Sequence, residues 1–181
     1  MILALDLSLR QTGYAIIDND KIIKSSVIKS PVNLRGVQRL DFLLKQITEL
    51  LDDIEFVAIE DYAYSAYGSM TNLAELSGIV KYYLYKIKKP FFLLATTALK
   101  KFVMGKGNAP KEAMMISIYK KYKIKTKSTD EADAIGLAKL AYAISLMKKG
   151  ELSADKYLDY QNAVLSNVWD AENKESTYKL H

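Results

Sequence analysis

The chain opens with an apolar run that ends on a carboxylate: Ile2, Leu3, Ala4 and Leu5 are followed at once by Asp6. So short an apolar run, bounded by polar residues, fits a buried strand better than a helix. A polar loop over residues 8–13, with Gly13 at its far end, leads into a second apolar run from Tyr14 to Ile17. Residues 1–18 therefore read as a β-hairpin. Asn19-Asp20 is a tight-turn pair, and residues 21–28 supply a third strand, so the first three strands form an antiparallel meander. Burying an uncompensated acid at the end of a core strand is costly. A bound cation would compensate Asp6; so, more simply, would hydrogen bonds from the turn. On this passage alone both readings stand.

Downstream, Leu34, Val37, Leu40, Leu43, Leu44, Ile47, Leu50 and Leu51 recur at three-and-four spacing, which predicts an amphipathic helix ending near Asp53. The next apolar segment, Phe56 to Ile59, again ends on an acid, Glu60. A strand that follows a crossover helix is expected to run parallel to an earlier strand, and that would bring Asp6 and Glu60 to one sheet edge. Like charges a few ångström apart repel unless a cation lies between them. A helix is expected over 70–88, with Leu73, Leu76, Val80, Tyr83, Leu84 and Ile87 inward and Ser69 or Thr71 as its cap. A strand over 91–95 follows, then a short helix capped by Thr96-Thr97. Residues 105–110 form a glycine-containing loop, and residues 111–122 a helix with Met114, Met115, Ile118 and Tyr119 inward. The last long helix starts at Asp130-Glu-Ala-Asp133, capped by Ser128 or Thr129. Asp130 and Asp133 share a face of its first turn, where acids also simply suit the helix dipole. A final helix is expected over 157–169, with Leu158, Ala163, Leu165 and Trp169 apolar.

Composition narrows the chemistry. There is no cysteine, and the one histidine is His181, which excludes disulfides, zinc–thiolate sites and histidine-based triads. A metal would be held by oxygen ligands, favouring magnesium or manganese. Residues 86–127 carry twelve lysines against one acid, Glu112, and a stripe this basic suits a polyanionic partner. No apolar run approaches a membrane span and no leader pattern opens the chain, so a cytoplasmic protein is expected. Residues 149–181 turn acidic and read as a helical extension and tail to a domain over 1–148.

Four passages together resemble the RuvC family of Holliday-junction resolvases, within the RNase H-like superfamily, and look closest to small bacteriophage members. They are Asp6 to Tyr14, with its Thr-Gly-Tyr turn; Ala58-Ile-Glu60; Val103 to Lys111, glycine-rich and ending in lysine; and Asp130-Glu-Ala-Asp133. Leu7-Ser8 departs from the Pro-Gly of many members. The resemblance implies an α/β, RNase H-like fold, with a mixed five-stranded sheet of three antiparallel then two parallel strands flanked by helices. It implies a crossover-junction endodeoxyribonuclease of recombination and repair, cutting four-way junctions with two Mg²⁺ ions, for which Mn²⁺ can substitute. Asp6 would bridge the two ions, Glu60 and Asp133 would each hold one, and Asp130 would be a ligand or a base. Lys111 would sit near the scissile phosphate, Tyr62 and Tyr64 would stack on a junction base, and Lys100, Lys101, Lys106 and the lysines of 120–127 would contact DNA backbone. Asp61 and Glu131 point elsewhere by strand and helix periodicity and are left out. A symmetric homodimer through the 70–88 helix is implied, acting on branched DNA in the cytoplasm, which is the host's if the protein is phage-encoded. Three other readings compete: a less selective flap or branched-DNA endonuclease, a structural junction-binding protein that keeps the fold without activity, and an actin-like ATP-binding protein, whose opening hairpin is similar.

Overall fold

A computed structural model describes residues 1–61, 70–110 and 112–174, with the backbone alone at 70–72 and 169–174. Strands β1 (Ile2–Asp6), β2 (Gln11–Asp18) and β3 (Lys21–Lys29) precede helix α1 (Gly36–Thr48) and strand β4 (Phe56–Asp61). Helix α2 (Met70–Lys86), strand β5 (Phe91–Ala95) and helices α3 (Thr96–Met104), α4 (Glu112–Tyr122), α5 (Thr129–Lys149) and α6 (Asp159–Lys174) follow. The sheet order is β3-β2-β1-β4-β5. β1–β2 and β2–β3 pair antiparallel, whereas β1–β4 and β4–β5 pair parallel. This is the mixed sheet expected, with the meander first and the parallel strands after the crossover helix.

Alternating residues of each strand feed two cores. Ile2, Ala4, Ala15, Ile17 and Ala58 pack under α5, with α3, α4 and α6 stacked outside it. Leu3, Leu5, Val57 and Ile59 pack against α1 and α2 on the other face. Helix α5 is buried along most of its length, from Ala132 to Ser145, as befits a helix covered on both sides. It crosses α3 closely: a Cβ on Gly136 would stand 2.8 Å from Val103 Cγ2 and 3.0 Å from Leu99 Cδ1.

Several local expectations are revised. Helix α1 is shorter than its apolar pattern, beginning only at Gly36, and Val37 in its first turn is 78 % exposed. Thr96 and Thr97 do not cap α3: they lie inside it, Ala95 is the cap residue, and Thr96 Oγ1 donates to the Asp61 carbonyl. Tyr119 of α4 and Ile87, just after α2, lie outside the core. The last helix starts at Asp159, leaving Leu158 exposed before it; Ala163 also faces solvent, while Val164 and Leu165 are buried. Helix α6 rests on α3, where Gln161 Nε2 donates to the Phe102 carbonyl at 3.1 Å. The proposed caps of α2 at 69 and 71 fall outside the described side chains. The tight turn is as expected: Asn19 and Asp20 both have positive φ, 43° and 64°, which a type I′ hairpin requires.

Candidate active site

One end of the sheet gathers the acids. The parallel register Ala4↔Ala58 and Leu5↔Ile59 makes Asp6 and Glu60 the next residues in line on neighbouring strands. Ala4 and Ala58 face α5, so by strand alternation Asp6 and Glu60 do too. Both are nearly buried, at 8 % and 7 % exposure. Asp61 points away and is exposed, in line with its exclusion.

Helix α5 brings the second pair. Ser128 is its cap, with Oγ accepting from the Glu131 N–H at 3.1 Å. Glu131 turns back from the site: its carboxylate accepts from the Lys127 N–H at 2.7 Å and from Ser25 Oγ at 2.9 Å. It therefore braces the helix start against β3, a variant of the capping box. Asp133 is buried and Asp130 half-buried.

Gly13 fixes where that helix start sits. It pairs with Asp6 across the β1–β2 ladder, and a Cβ there would lie 2.1 Å from the Asp130 carbonyl oxygen and 2.6 Å from its carbon. Only glycine lets the α5 backbone approach β2 this closely. The sequence reading assigned Gly13 to the turn. It lies inside β2, and its need for glycine comes from a neighbouring backbone, not from φ. The turn proper, residues 7–10, is held by Thr12, whose fully buried hydroxyl donates to the Ser8 carbonyl at 2.8 Å and accepts from the Ser8 N–H at 3.1 Å. The Leu7-Ser8 departure is thereby accommodated: Leu7 is a core residue and Ser8 anchors the loop.

β5 runs parallel to β4, so α3 begins at this same end, and the loop after it returns toward the helix start, where a Cβ on Gly107 would lie 3.4 Å from the Thr97 carbonyl oxygen. Lys100 and Lys101 on α3 are half-buried and Lys106 in the loop is exposed. Within the lysine run, Lys121 is committed internally, donating to the Phe102 carbonyl and to Tyr160 Oη, which corrects its expected role in backbone contact. Lys120, Lys123, Lys125 and Lys127 stay exposed. Tyr62, Tyr64 and Lys111 lie outside the described residues.

As donors, the acids suit a hard divalent cation: carboxylate oxygens, with neither cysteine nor any histidine before the last residue to compete. Their partial desolvation adds to the benefit of a cation, because buried carboxylates repel one another. Among the described residues no three acids stand close enough to hold one ion between them, and Asp6, Asp130 and Asp133 are each engaged with another group. The fit is thus one of donor type and shared location. No helix among the described residues is long and apolar enough to cross a membrane.

Comparison with known proteins agrees with this architecture. Residues 2–141 match the family described as crossover junction endodeoxyribonuclease RuvC. The crossover junction endodeoxyribonuclease RuvC of Hydrogenovibrio crunogenus is 26 % identical over 164 residues, covering 87 % of this chain and 88 % of that protein. Among solved structures, Thermus thermophilus RuvC in complex with a Holliday junction substrate superposes with a TM-score of 0.66 at 17 % identity, covering 83 % of this chain and 96 % of the other. A fowlpox virus resolvase with junction DNA gives 0.52 at 17 % identity, covering 81 % of this chain and all of the other (100 %). Nucleases of the matched family are metal-dependent. With the match extending over more than three quarters of its length, the chain belongs to the RuvC family of crossover junction endodeoxyribonucleases.

Proposed function

We propose that this protein cuts four-way DNA junctions by Mg²⁺-dependent phosphodiester hydrolysis, with Asp6, Glu60, Asp130 and Asp133 as the acidic centre. The observation that carries this reading is the seating of the α5 start on Gly13, which brings Asp130 and Asp133 to the sheet end that bears Asp6 and Glu60. Following the family pattern, Asp6 would bridge two ions, with Glu60 holding one and Asp133 the other; Mn²⁺ can substitute. When bound, the metal would activate the attacking water near neutral pH and offset charge on the leaving 3′-oxygen. The chain's own residues position the acids, and partial burial strengthens their pull on any cation. Asp130, less buried than Asp133, is a ligand or a base for the attacking water. Lys111 offsets phosphate charge in the transition state, and Lys100, Lys101 and Lys106 hold the DNA backbone. Tyr62 and Tyr64, just past Glu60, stack on an unpaired base.

The division into a nuclease domain over 1–148 and an extension over 149–181 belongs to the same proposal, with α6 as a brace for α3, and so does a cytoplasmic location. Family membership favours this reading over an actin-like ATP-binding protein. A panel of four-way, flap, Y-shaped and linear DNAs, each with Mg²⁺, Mn²⁺ or EDTA, tests activity, metal and substrate together. Symmetric paired nicks in the four-way junction alone, absent with EDTA, are the expected result. Equal cutting of flaps would move the assignment to a general branched-DNA endonuclease.

Two coordinated cuts call for a two-fold dimer, and α2 is the proposed contact. Its C-terminal half exposes Tyr82 (63 %) and Tyr85 (60 %), and aromatic residues of this kind are enriched at interfaces. Light scattering at micromolar concentration is expected to report a dimer, and Tyr82→Glu with Tyr85→Glu a monomer. A monomeric parent protein would remove the paired-cut mechanism.

A further inference from the structure

Of the chain's 26 basic residues only three are arginines, Arg10, Arg35 and Arg39, and all three line one cleft of about 390 Å³. Lys29 lines it as well, and no acid does. The cleft is braced. The Ser30 N–H donates to the Arg10 carbonyl at 3.0 Å, tying the β1–β2 turn to the segment that leads into α1. Arg39 Nε and Nη2 both donate to the Leu34 carbonyl, at 3.0 and 2.6 Å, which fixes its guanidinium.

The N-terminus of α1 adds positive potential independently of the arginines. Arg35 is its cap residue, no side chain caps its N–H groups, and its first turn holds no acid. Helix starts ordinarily recruit an acid or a capping oxygen to offset the dipole. Four cations beside an uncapped helix start repel one another unless an anion sits among them. Arginine's planar fork suits phosphate better than lysine's point charge does.

The place of the cleft identifies its occupant. Gln11 pairs with Lys29, two residues beyond the Asp6–Gly13 pair, so the cleft lies at the acidic end of the sheet. It flanks that end on the α1 side, whereas α3 with Lys100 and Lys101 flanks it on the α5 side. We propose that the arginine cleft holds backbone phosphates of a DNA arm leaving the cleavage point, so that DNA is gripped on both sides of the acids. The identity of the anion rests on the nuclease reading; the existence of the anion site does not.

Fluorescence anisotropy with a labelled four-way junction and a labelled linear duplex, in EDTA over a salt series, tests this. The Arg10→Ala/Arg35→Ala protein is compared with Lys149→Ala/Lys156→Ala, which removes two charges from exposed positions elsewhere. The arginine pair is expected to weaken binding about tenfold or more and to reduce the log–log salt slope by about two, whereas the lysine pair shifts affinity less than about twofold. Arg10→Lys/Arg35→Lys is expected to keep the salt slope yet bind more weakly than the parent, since charge persists without the fork. Arginine variants that match the lysine pair in affinity and slope would overturn the proposal. Cleavage of the DNA panel is scored separately. Arginine-dependent binding without any cleavage rejects the nuclease reading and keeps the cleft; cleavage with arginine-independent binding does the reverse.

Discussion

Asp6→Asn is expected to reduce Mg²⁺-dependent junction cleavage by about three orders of magnitude while junction binding persists. Asparagine keeps the volume and one carbonyl oxygen of aspartate but loses the charge that a hard cation requires. A lost ligand at the centre of a metal site forfeits several kcal/mol of transition-state stabilisation, and each 1.36 kcal/mol is tenfold in rate. Binding, on the proposed reading, rests on phosphate contacts from lysines and arginines, which the substitution leaves in place. Asp61→Asn is the matched comparison: the residue is adjacent to Glu60 in sequence but exposed on the other side of the strand, so its rate should stay within about twofold, as for other surface changes. Single-turnover cleavage and anisotropy on the same preparations separate the two effects. Undiminished cleavage by the Asp6→Asn protein would remove the acidic centre from the mechanism.

Gly13→Ala adds one methyl group and is expected to destabilise the fold by about 3 kcal/mol, at the upper end of overpacking effects. Its Cβ would meet backbone atoms, the Asp130 carbonyl oxygen at 2.1 Å and carbon at 2.6 Å, and backbone cannot rotate away as a side-chain tip can. Helix α5 cannot lift without cost either, since its buried face lies along β1 and β2. For a chain of this length the melting temperature should fall by about 6–12 °C. Cleavage should fall further than the loss of folded protein explains, because the backbone displaced is the α5 start that carries Asp130 and Asp133. Calorimetry with activity normalised to folded protein checks both. An unchanged melting temperature would mean that the approach of α5 to β2 is looser than described.

Some of this was legible in the residues and some was not. The hairpin, the parallel return of β4 and the two strand-ending acids follow from apolar runs and from the handedness of crossovers, which are local or nearly local rules. The exclusion of Asp61 and Glu131 followed from periodicity, and both side chains do point away. Three other points did not follow. Gly13 read as a turn residue because glycine is a turn signal, although an isolated glycine inside a strand pattern also marks close backbone approach. Lys121 counted toward the basic stripe, and only the docking of α6 shows it spent on Tyr160 and the Phe102 carbonyl. The arginine cleft went unnoticed, although three arginines among so many lysines was a visible signal.

The sequence by itself determined most of the elements and the mixed sheet, and it offered the four acids as candidates, because apolar spacing, strand ends and helix starts are written in neighbouring residues. Tertiary structure alone decided that the α5 start sits on Gly13 beside Asp6, how near α5 comes to β2 and which basic side chains are committed internally. Those properties depend on distances between segments more than a hundred residues apart, such as Gly13 and Asp130. A chain encodes such distances only through the packing of everything between.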